Sequence, residues 1–144
     1  MLTLKRILFY VISFTWGGVL SLIGFLIMLP FLVTKRVSTY HGRLYGIFPK
    51  CFGNDWGFEM GCFFFIAENC KDDDYLRNHE SGHGLQNCVL GIFQIIIQIS
   101  SFVRYWYREY KTRHNIPLKN GYDDIWFERW ATDWGTKFVS TDIL

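Results

Sequence analysis

From residue 7 to residue 33 the chain carries no charged side chain, while Lys5–Arg6 and Lys35–Arg36 stand at the two ends of this run. A helix needs about 20 apolar residues to cross the hydrocarbon layer of a bilayer, so the run predicts one tilted transmembrane helix, with residues 1–34 as an anchor. A removable signal peptide shares the basic start, but its apolar stretch is shorter and ends in a small-x-small cleavage site that this run lacks. A soluble helix of this length would require a larger core than 144 residues can build.

The remaining residues, 35–144, are enough for one further unit. A second uncharged run, 85–103, is interrupted by Gln86, Asn87, Gln94 and Gln98. Gln94 and Gln98 lie four apart and share one helical face, which predicts a partly embedded helix packed on protein along that face. A straight continuation would carry the chain about 30 Å away from residue 83, so either a break near Gly91 or a shallow path for this helix is expected. Membrane lipid is thus an expected partner. The formal charge of +2, with no basic stripe, excludes a nucleic-acid partner.

Residues 41–48 and 57–66 are aromatic-rich and are separated by Pro49, Gly53, Asn54, Asp55 and Gly57, so they read as strands of a hairpin or small sheet. Residues 63–66 show no polar alternation and are expected to be covered on both faces. Cys51, Cys62 and Cys70 would permit a disulfide in an oxidising compartment. The predicted fold class is therefore an α+β membrane protein with an N-terminal transmembrane helix, a small sheet, a polar helix running into the partly embedded one, and a C-terminal helix.

The chemistry lies in the polar helix, which Lys71-Asp-Asp-Asp74 caps. Asn78-His79-Glu80-Ser81-Gly82-His83 contains HExxH. Positions four apart stand one turn above each other, so His79 and His83 can present two imidazoles to one ion while Glu80 faces the water beside it. Zinc suits two nitrogens and a carboxylate. The third ligand is expected from residues 122–135, a helix capped by Asp123 or Asp124. There Trp126, Trp130 and Trp134 make one face, and Glu128, Ala131 and Gly135 make another whose small residues allow close approach.

Glu128 is the preferred third ligand, ahead of Asp133, Asp124, His114 and Glu109. Thr132 or Asp133 would orient a ligating imidazole. In a catalytic site Glu80 is the general base, and Tyr122, His114, Tyr107 and Arg129 compete as stabilisers of the oxyanion. A strand within 58–66 would pair with an extended substrate backbone.

Asn78-His79-Glu80-Ser81-Gly82-His83-Gly84-Leu85-Gln86, followed by an apolar stretch and then Glu128-Arg129-Trp130-Ala131, resembles the gluzincin metallopeptidases. More narrowly, it resembles small bacterial membrane proteins with an Asn-His-Glu-x-Gly-His-x-x-Gln core and a later Glu-x-x-Ala. The resemblance implies zinc on His79, His83 and Glu128, Glu80 as base, a peptide or membrane-proximal protein segment as substrate, and residence in a bacterial cytoplasmic membrane. Membrane peptidases of this wider class continue Glu-x-x-Ala-Asp, whereas Thr132 stands here before Asp133. The rival expectation is a noncatalytic membrane protein whose zinc only staples the domain and whose surface binds a protein partner.

Overall fold

A computed structural model describes residues 4–121 and 124–139 of the chain. The fold is α+β, with helices packed around a four-stranded mixed sheet.

The N-terminal apolar run does not form one straight helix. It forms α1 (Leu4–Thr15) and α2 (Gly18–Val33), which meet at an angle of 99°. At 1.5 Å per residue these helices are about 18 and 24 Å long, and each alone is shorter than the hydrocarbon layer. The bend falls at Gly17–Gly18, where helix propensity is lowest. The Ser21 hydroxyl closes its inner side by donating to the Ser13 carbonyl (2.6 Å), and the Trp16 indole N–H donates to the carbonyl of Val89 (3.2 Å).

The strands β1 (Val37–Tyr40), β2 (Arg43–Phe48), β3 (Gly57–Met60) and β4 (Phe63–Ala67) lie in the order β1-β2-β4-β3. Two antiparallel hairpins are joined through the parallel pair of β2 and β4, with Tyr45 opposite Phe64 and Phe48 opposite Ala67. Each of the two runs read as a strand is shaped by a turn that the pattern alone does not reveal. His41 and Gly42 take positive φ and make the first hairpin turn, and Gly61 takes φ +70° and divides residues 57–66 into two strands. β3 is an edge strand.

All five residues of β4 are buried, as the unbroken apolar text predicts. Phe63 and Phe65 pack with Phe9, Met28 and Phe31 from α1 and α2, while Phe64 and Ile66 pack with Tyr45 and Leu76 on the opposite face. The N-terminal helices therefore share the core of the rest of the chain. All four cysteines are free, so the disulfide that the spacing of Cys51, Cys62 and Cys70 would permit does not form.

α3 (Asp74–Leu90) starts at Asp73, whose carboxylate accepts from the amides of Tyr75 (2.9 Å) and Leu76 (3.3 Å). A short 3-10 turn, Gly91–Phe93, leads to α4 (Gln94–Arg113). By length and composition the helical stretch Asp74–Arg113 is long and apolar enough to cross a membrane, with 17% of its most apolar window buried. It is not one rod. Gly91 takes φ +57°, a value that side chains disfavour, and breaks the stretch where the sequence places the break.

α4 then runs back along α3. Gln94 donates to the His83 carbonyl (3.4 Å), Gln98 to Glu59 (2.6 Å) and Ser101 to Glu128 (2.5 Å). The chain closes with α5 (Trp126–Trp134), which passes into a π-helical turn, Gly135–Val139. α5 starts later than the sequence suggests. Its N-cap is Ile125, and Asp123, one of the two expected caps, lies outside the described residues.

Candidate metal centre

α3 and α5 approach closely because small residues line both. A Cβ on Gly82 would run into the Ala131 carbonyl, and one on Gly135 into that of Asn78. Ala131 itself is fully buried. This contact brings the Glu128 side chain to the two histidines, as the small residues on its face predict.

The Nε2 atoms of His79 and His83 each lie 3.2 Å from the same atom, Oε2 of Glu128, and all three side chains are buried. Two ligand atoms on one tetrahedral zinc, at bond lengths of about 2.0–2.1 Å, are separated by roughly 3.3 Å, so the spacing suits a single ion between them. Among the described residues this is the one group of three or more His, Cys, Asp or Glu side chains close enough to hold a metal. The competing ligands Asp133, Asp124, His114 and Glu109 are not part of it.

The remaining ring nitrogens are held from behind. His83 Nδ1 donates to Gln86 Oε1 (2.8 Å), and the Gln86 amide is fixed in turn by donating to the Phe127 carbonyl (2.7 Å). His79 Nδ1 lies 2.8 Å from Thr132 Oγ1, so Thr132 rather than Asp133 orients that ring. Each Nε2 donates to Glu128, and a proton kept on each Nδ1 would leave the Nε2 lone pair free for an ion that replaces this contact.

Burial pushes the Glu128 carboxyl up, yet hydrogen bonds from His79 and His83, with that of Ser101, hold it well below the usual carboxylate range. It is therefore ionised and available as a ligand near neutral pH. The donor set of two imidazoles and one carboxylate, pre-aimed at one point, fits a divalent transition metal.

Glu80 is buried beside the histidines and lies against β3, where a Cβ on Gly57 would come within 2.9 Å of its Oε1. A cleft reaches His79 and Glu80 between the Asp55–Gly57 segment, α3 and α4, and is also lined by Trp56, Tyr75, Tyr105 and Arg108. Three of the expected oxyanion stabilisers do not line this cleft. Tyr107 is exposed, His114 bonds the Tyr110 carbonyl past the cleft, Arg129 pairs with Asp124 (3.7 Å), and Tyr122 lies outside the described residues. Tyr105 and Arg108, not singled out in the sequence, line the cleft wall instead. The signal for them was present in the spacing of Gln94, Gln98, Ser101, Tyr105, Arg108 and Thr112, which continues the polar face begun by the two glutamines.

A second carboxylate stands nearby and was not singled out in the sequence. Glu59 of β3 is fully buried, with Oε2 accepting from Gln98. Burial pushes its carboxyl up to about 8 against the opposing influence of His83 and Arg43. Arg43, also buried, donates through Nη1 to the Ser81 carbonyl on α3. No family model, curated protein or solved structure matches the chain.

Proposed function

We propose that the chain is a membrane-bound zinc-dependent endopeptidase, with His79, His83 and Glu128 as ligands and Glu80 as general base. One observation carries the reading: two imidazole nitrogens and a carboxylate converge on one point, while a further buried carboxylate that adds nothing to the ligand set sits beside them at the end of a cleft.

When bound, the ion supplies Lewis-acid chemistry, acidifying water and polarising a peptide carbonyl. Glu80 accepts the proton of the attacking water on a carboxylate oxygen and delivers it to the departing amine nitrogen. The edge strand β3 offers its free backbone groups to an extended substrate, and Trp56, Tyr75 and Leu76 give the cleft apolar walls for side chains. The apolar helices support a site at a membrane, with peptides or membrane-proximal protein segments as the substrate class.

The near-complete burial of the three ligands also suits a metal that only staples α3 to α5 in a partner-binding membrane protein. Glu80→Gln separates the two readings. Zinc content measured on purified protein should stay stoichiometric in both, while peptide hydrolysis present in the parent and lost in the variant supports the peptidase. Hydrolysis that survives the substitution sinks the assigned mechanism.

A further inference from the structure

α4 has its polarity reversed. On a soluble surface helix the polar face meets water, but here Gln94, Gln98, Ser101, Tyr105, Arg108 and Thr112 fall within an arc of about 80° that faces the metal site and its cleft. The opposite side presents Ile96 (63% exposed), Ile99, Phe102 (64% exposed), Val103, Trp106 and Tyr110. Of the large apolar residues of α4, Ile97 alone is buried. The helix is tied to the body mainly through polar bonds, and two of these reach the site directly, from Ser101 to Glu128 and from Gln94 to the His83 carbonyl.

The outer face is also graded along the axis. Ile92 and Phe93 lie at the N-terminal corner, next to Val89 and Trp16 of the α1–α2 bend. Isoleucines, Phe102 and Val103 follow, then Trp106, Tyr107 and Tyr110, and finally Arg113, paired with Glu109 (2.8 Å), and Lys111 at the flank over the Tyr107 ring. Apolar, aromatic and then basic is the order from acyl chains through the interfacial belt to anionic headgroups. A second copy of the chain would bury such a face without requiring that gradient.

We infer that α4 is a lipid-seated lid. An anionic bilayer takes its apolar face, with the Ile92–Phe93 corner deepest, and this seating holds the polar face of α4 on the ligands of the metal site. The first half stands without the metal reading, and the second rests on it.

The test uses the full chain in vesicles of phosphatidylcholine and phosphatidylglycerol that contain a phospholipid with a photoactivatable acyl chain, and maps the adducts by mass spectrometry. Adducts are expected on Ile96, Ile99, Phe102 and Val103, with none on Gln98 or Ser101. Adducts missing from α4, or cross-links between the α4 helices of two copies, overturn the lipid surface whether or not the chain takes up zinc.

The coupling is read as the rate at which zinc-loaded protein loses its metal to a chelator. Ile99→Asp combined with Phe102→Asp alters side chains that touch no ligand, and should speed the loss by about tenfold, the scale on which supports of metal ligands act. Because that variant could misfold, unaltered protein supplies the second arm. Raising the phosphatidylglycerol share should slow its zinc loss, and a rate independent of anionic lipid overturns the coupling. Protein that takes up no zinc in any vesicle rejects the metal site itself and the coupling with it.

Discussion

Thr132 Oγ1 stands 2.8 Å from His79 Nδ1, one residue before Asp133, which is exposed. Positions on a helix advance by about 100° per residue, so only the residue directly after Ala131 can face the imidazole. A neutral hydroxyl, not the neighbouring carboxylate, therefore holds this ring.

Thr132→Val keeps the shape and removes the hydroxyl, and is expected to weaken zinc binding by about 10- to 100-fold. Thr132→Asp should restore or exceed the parent affinity, because a carboxylate raises the basicity of the imidazole that it holds. Competition with a chromophoric chelator measures both. Equal affinity in all three proteins would show that Thr132 merely fills space.

His83→Ala removes a ligand together with the ring N–H from which Gln86 Oε1 accepts, while Gln86 keeps its bond to the Phe127 carbonyl. Zinc content by atomic emission on purified protein is expected to fall to background, while helical content by circular dichroism stays near that of the parent because α3 keeps its cap at Asp73. Stoichiometric zinc in that variant would reject the site.

Much of this centre was legible because the chemistry is local. HExxH fixes two imidazoles by helical spacing, and Glu128, Ala131 and Gly135 share a face whose small members announce a close helix contact. Distance left a break near Gly91 or a shallow helix path as the two ways for Glu128 to return to His83, and the structure takes the break. What escaped depends on contacts between distant segments. The bend at Gly17 needs Trp16 on Val89 and Ser21 on Ser13, and neither partner is marked in an apolar run. Glu59 reads as an ordinary strand residue until Gln98 and the covering helices bury it.

The contact of Gly82 with Ala131 carries both stability and geometry. In Gly82→Ala overpacking against backbone, about 1–3 kcal/mol, opposes the roughly 1 kcal/mol by which alanine favours the helix, for an expected net loss of up to about 2 kcal/mol. Because α5 must move away, zinc affinity should fall as well, although no ligand is altered. Thermal melting together with chelator competition checks this, and a variant more stable than the parent with unchanged affinity would place the two helices further apart.

Glu59 makes stability depend on pH. Its carboxyl has a value of about 8 in the fold, because burial disfavours the charged form, against 4.5 when exposed. Below pH 4.5 the group is neutral in both states and its ionisation does not change stability. Between 4.5 and 8 the unfolded chain releases a proton that the folded chain keeps, so stability falls as pH rises, by an amount on the order of a few kcal/mol. Glu59→Gln retains an oxygen to accept from Gln98 and cannot ionise. The melting temperature of the variant should therefore exceed that of the parent at pH 8.5 by several degrees and match it closely at pH 5, with metal removed from both. A difference of the same size at both pH values would mean that the Glu59 carboxyl is not the titrating group.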